Sequence, residues 1–70
     1  MNLTNAKLGE QYIVRRIETG DEELDSFLFS LGCYAGEPVT VISRRKSTCV
    51  IAIKDGRYCI DNQLAAVIEI

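Results

Sequence analysis

Hydrophobic positions along this chain come in short blocks separated by glycines and polar clusters. Gln11 to Ile17 follows Gly9 and carries Tyr12, Ile13, Val14 and Ile17, the β-branched and aromatic content of a strand. The next block changes period. Leu24, Phe27, Leu28 and Leu31 stand at i, i+3, i+4 and i+7, which predicts a helix over about residues 21–31 with all four on one face. Thr19 lies three residues before Glu22, the spacing of a capping box, and Asp21 is an alternative N-cap. The acidic run Asp21-Glu22-Glu23 suits the positive end of a helix dipole, and Gly32 stands where a left-handed stop is expected.

Cys33 to Pro38 reads as a loop. Val39 and Val41 then alternate with Thr40, Ile42 and Ser43 finish a strand, and Arg44-Arg45-Lys46-Ser47 makes a polar hairpin tip. Thr48 to Lys54 is apolar on both faces through Cys49-Val50-Ile51-Ala52-Ile53, the pattern of a strand buried on both sides. Asp55-Gly56 predicts a two-residue type I′ turn into a return strand, Arg57 to Ile60. Asp61 to Leu64 reads as one 3₁₀ turn or a loop, and Val67 to Ile70 as a closing strand with Ile68 and Ile70 on one face. About five such strands in 70 residues have too little area for two stacked sheets, whereas curling into a small barrel hides the edges around a single core. The expected fold is therefore mainly β: one domain over residues 1–70, an SH3-like barrel with one inserted helix. Leu24, Phe27, Leu28 and Leu31 of that helix would plug an open end.

With these elements in place, Leu31-Gly32-Cys33-Tyr34-Ala35-Gly36-Glu37-Pro38-Val39-Thr40-Val41 resembles the L-G-hydrophobic-x-x-G-x-x-V-x-V segment of ferrous iron transport protein A (FeoA) domains. Leu8-Gly9, Val50-Ile51-Ala52-Ile53 and Gly56-Arg57-Tyr58-Cys59-Ile60 fit the same pattern, and Ala65 to Ile70 looks like the family's closing A-x-x-I-x-V. The resemblance covers nearly the whole chain, although each piece is mostly glycine and aliphatic. It implies an SH3-like fold, a cytoplasmic location and an accessory role in bacterial ferrous iron uptake, by protein–protein contact with the membrane transporter FeoB and with a link to transition-metal binding. The same domain type also ends iron-dependent repressors. Two departures stand out: the helix is more acidic than the family's common basic version, and position 33 is Cys where many members carry Leu or Met.

Composition narrows the chemistry. There is no histidine, which removes the commonest general base and neutral metal ligand, and no Gly-rich phosphate loop, so neither catalysis nor nucleotide binding is expected. Cys33, with Glu37 four residues on, is the candidate thiol for a ferrous or other divalent ion. No CxxC accompanies it, and no cofactor or metal site is expected. Cys49 and Cys59 read as small buried hydrophobes, and an odd cysteine count without a signal-peptide pattern fits a reducing compartment. The longest apolar runs are far short of the ~20 residues needed to span a bilayer.

A net charge of −2 opposes nucleic-acid binding, although a small nucleic-acid-binding or translation-associated barrel is the alternative function. Arg44-Arg45-Lys46 with Arg15 and Arg16 reads either as a solubilising tip or as a contact for an acidic partner, with no interleaved aromatics to stack on bases. Phe29 lies off the leucine stripe and Tyr34 sits just beyond the helix. With Leu31 they are the expected partner-binding residues, since exposed aromatics favour interfaces. Free sheet edges and a small core suit a monomer or a weak homodimer.

Overall fold

A break at Val14 in the first strand generates the barrel. In the computed structural model, which describes residues 1–70, β1 (Gln11–Ile13) pairs antiparallel with β3 (Pro38–Arg44), Tyr12 facing Val39. Two residues later the chain has changed partner: β2 (Arg16–Ile17) pairs with β6 (Ile68–Glu69). Both backbone groups of Val14 are bonded, as is the N–H of Arg15. Val14 N donates to Glu37 O (2.9 Å), Gly36 N to Val14 O (2.8 Å), and Arg15 N to Glu69 O (2.7 Å). Val14 itself is buried, so neither of its backbone groups is left unpaired beside the core. The single strand expected over residues 11–17 is thus two strands that join a two-stranded sheet to a four-stranded one of order β1-β3-β4-β5.

β4 (Thr48–Ile53) is central in the larger sheet, between β3 and β5 (Gly56–Asp61). Its burial alternates: Cys49, Ile51 and Ile53 point inward, whereas Thr48, Val50 and Ala52 are only half-buried. One face is core and the other meets solvent, so the expectation of a strand buried on both sides is corrected. In so small a protein no second layer covers the outer face. The same alternation corrects Cys59, which sits opposite half-buried Val50 on that face and is exposed, whereas Cys49 is buried as expected.

The β4–β5 turn is one residue earlier than Asp55-Gly56. Ile53 faces Gly56, which leaves Lys54 and Asp55 as the turn, with Lys54 at φ 52°. A type I′ turn needs positive φ at both residues, and only Lys54 has it. Gly56 instead opens β5, beneath the Tyr58 side chain. A Cβ there would lie 2.3 Å from the Tyr58 hydroxyl oxygen, because the Tyr58 side chain lies across it.

α1 (Glu22–Leu31) occupies the expected residues. Asp21 is the N-cap, accepting from Glu23 N (2.8 Å) and Leu24 N (3.4 Å), and Thr19 Oγ1 in turn accepts from Asp21 N. The plug does not form as expected. Leu28 is fully buried and Leu31 half-buried, but Leu24 and Phe27 keep 40% and 48% of their surface exposed. Residues outside α1 contribute to the core as well. Leu3 in the N-terminal 3₁₀ turn (Leu3–Asn5) and Ala65 in α2 (Asn62–Ala66) are both completely buried with the strand residues. α2 is a full α-turn where a 3₁₀ turn or loop was expected, capped by Asp61 Oδ1 accepting from Leu64 N (2.7 Å). Ile68 and Ile70 share the inward face as expected. The whole is an SH3-like barrel with one main helix, α1, and the short α2.

Candidate partner-docking surface

The surface begins at the C-terminus of α1. Gly32 is left-handed (φ 91°). Its N–H donates to Phe29 O and that of Cys33 to Leu28 O, both at 2.9 Å. This paired bonding reverses the chain sharply and is sealed by apolar contact at its base. Here Leu28 and Cys33 are both buried. The reversal sets the loop residue Tyr34 against the last turn of the helix, with its ring centroid 4.9 Å from that of Phe29 and the planes tilted by 32°. That spacing lies within the range of favourable aromatic pairs. Phe29 stays 66% exposed. Below the rings a shallow groove of about 260 Å³ is lined by Ile17, Asp25, Phe29, Cys33, Tyr34 and Ala35.

Two of the three residues expected at a partner surface therefore meet, Phe29 and Tyr34. Leu31 is half-buried and does not line the groove. Two supporting residues were not anticipated. Lys54 Nζ lies 5.2 Å from the centre of the Tyr34 ring and bonds the Glu37 carboxylate. Lys54 holds the Glu37 carboxyl below the usual range, with the Tyr34 hydroxyl a lesser contributor, and Glu37 raises Lys54 in return. Twenty residues separate Tyr34 from Lys54, and no local pattern links them. The bare backbone of Gly32, over which the Lys54 stem passes, was the available signal.

On α1, Leu24 and Phe27 add exposed apolar surface, bordered by Glu22, Glu23 and Asp25 in the first turn. The basic residues are dispersed in their roles. Arg16 pairs with Glu18 and Glu69, and Arg44 Nη2 donates to Leu3 O (2.8 Å) and Ala6 O (3.1 Å), tying the N-terminal turn to β3.

No three Cys, Asp or Glu side chains converge as a metal would require. Cys33 is buried beneath the helix end, and desolvation pushes its thiol up to about 11, so it stands protonated. Glu37, its proposed companion, is engaged with Lys54. No helix is long and apolar enough to cross a membrane.

Against known proteins, the FeoA domain model matches residues 1–70, the full length of the chain. The chain belongs to the FeoA family. Membership of this small accessory family, which is not known for catalysis, implies a role in ferrous iron transport systems. Among solved structures, this FeoA domain is similar to the crystal structure of an iron uptake regulatory protein (FeoA), with TM-score 0.85, 23% identity, and 97% of this chain and 91% of that one covered. It is also similar to a manganese-dependent transcriptional repressor, with TM-score 0.84 and 20% identity. All of this chain aligns there, spanning 41% of the repressor. At these identities the two structures establish the fold. No curated protein matches the sequence.

Proposed function

We propose that this FeoA domain docks on the cytoplasmic part of a FeoB-type membrane iron transporter and regulates it by contact alone. The observation that carries the reading is the Phe29–Tyr34 ring pair, held outside the core by a capped helix end and braced by Lys54. Aromatic rings pinned in one geometry lose little entropy on binding, which suits them as anchors. Leu24 and Phe27 extend the apolar contact along α1, and the acidic first turn favours a partner surface with basic residues at its rim. The domain works in the cytoplasm, where the transporter's soluble part lies, and carries no resident metal.

Titration of the domain against the transporter's isolated cytoplasmic region tests this, in each nucleotide state and with and without ferrous ion. Saturable binding in at least one nucleotide state is expected, with no requirement for iron. Absence of binding in every state contradicts the reading.

A further inference from the structure

β5 ends the four-stranded sheet, and its outward edge is unpaired. The phase of its hydrogen bonds fixes which residues that edge offers. Asn62 N donates to Ser47 O (2.9 Å), one step beyond the Thr48–Asp61 pair. Antiparallel bonding alternates residue by residue, so Ile60, Tyr58 and Gly56 bond toward β4, while Asp61, Cys59 and Arg57 turn their backbone groups away. The side chains of these three residues are exposed on the outer face. Neither Arg57 nor Asp61 takes part in any ion pair of the chain.

We infer that β5 is a self-pairing edge, on which a second copy of this chain adds antiparallel across a two-fold axis at Cys59. In that register Arg57 of each copy faces Asp61 of the other on the outer side, and Tyr58 faces Ile60 on the inner side. Opposite charges directly across an antiparallel pair attract, and like charges repel. Shifts that keep the faces aligned lose this match. Centring on Arg57 or on Asp61 sets like charges opposite each other, and centring on Tyr58 brings Asp55 against Asp61. The pairing joins two four-stranded sheets into one of eight strands and bonds the free groups of Arg57 and Cys59. A six-residue edge buries little area, so association is weak and concentration-dependent.

The two Cys59 thiols provide the readout. Directly opposed residues in a hydrogen-bonded antiparallel pair have Cα atoms about 5.5 Å apart, within the range of about 4.4–6.8 Å that a disulfide spans. Diamide, taking up the two thiol hydrogens, closes an S–S bond between copies, and buried Cys33 and Cys49 are bystanders. The expected result is a covalent dimer whose rate of formation rises with protein concentration, is abolished in Cys59→Ser, and falls about tenfold in Arg57→Glu or at high salt. A thiol-independent measurement accompanies it: in Cys59→Ser, hydrogen exchange at the amides of residues 57 and 59 slows as concentration rises. Cross-linking unaffected by Arg57→Glu, or exchange independent of concentration, overturns the inference. So does protection that appears only when a strand from another protein is added.

Discussion

The side chain of Lys54 occupies the space that any side chain at Gly32 would need: a Cβ there would lie 2.6 Å from Lys54 Cγ. Gly32 thus does two jobs. Its left-handed backbone (φ 91°) ends α1, and its bare surface lets the Lys54 stem cross the helix end to reach Tyr34 and Glu37.

Replacing Gly32 by Ala should therefore destabilise the domain by about 1–2 kcal/mol from the left-handed backbone alone, while Lys54 is displaced from Tyr34. Urea denaturation measures the first effect. Loss of the Lys54-dependent shifts of the Tyr34 ring protons in NMR spectra reports the second.

The Glu37–Lys54 pair sets a pH window. The Glu37 carboxyl is held below its ordinary value of 4.5, so its contribution is complete above that pH and disappears as pH falls through the lowered folded value. Lys54 is raised above 10.5, so its contribution is complete below that pH and disappears as pH rises through the raised value. Melting temperatures of wild type and Glu37→Gln should differ by a constant amount between roughly pH 5 and 10 and converge at both extremes. A difference that is flat across the whole range would show that the pair adds nothing.

The helix should divide into a structural residue and surface ones. Leu28→Ala removes a fully buried side chain and should cost about 2–5 kcal/mol. Phe29→Ala and Phe27→Ser alter partly exposed rings, one of them paired with Tyr34, and should cost no more than about 1.5 kcal/mol, well short of Leu28→Ala. Chemical denaturation of the three variants checks the order.

Thiol reactivity should follow burial. One cysteine, Cys59, should react with a disulfide reagent in the native protein near pH 8, and all three after unfolding, because Cys33 and Cys49 are buried and burial raises both of their thiols. Counting thiolate release before and after adding guanidinium gives the answer.

The elements were legible in the sequence where local chemistry decides them. α1 could be placed from its period, Asp21 and Gly32, and the strands from their β-branched content. Three things were hidden because they depend on contacts between distant residues. The break at Val14 is made by partners at Gly36, Glu37 and Glu69, none visible from residues 11–17. The turn falls at Lys54-Asp55 because the β4–β5 register pairs Ile53 with Gly56, a pairing that no local turn signal announces. Leu24 and Phe27 have the spacing of core residues but stay partly exposed, whereas Leu3 and Ala65, from the two ends of the chain, lie in the core. For the candidate surface, Phe29 and Tyr34 could be named because one leaves the helical stripe and the other follows its stop. Leu31 was included by proximity alone. Lys54 and Glu37, joined only by the fold, could not be read.

The most direct measurement of the central claim is calorimetric titration of the transporter's cytoplasmic region with wild-type protein and with Phe29→Ala/Tyr34→Ala, each first shown to be folded by its amide spectrum. Wild-type binding with a loss of at least about tenfold in affinity for the double variant is the predicted result, as removal of a paired aromatic anchor requires. Equal affinities for two equally folded proteins would contradict the account.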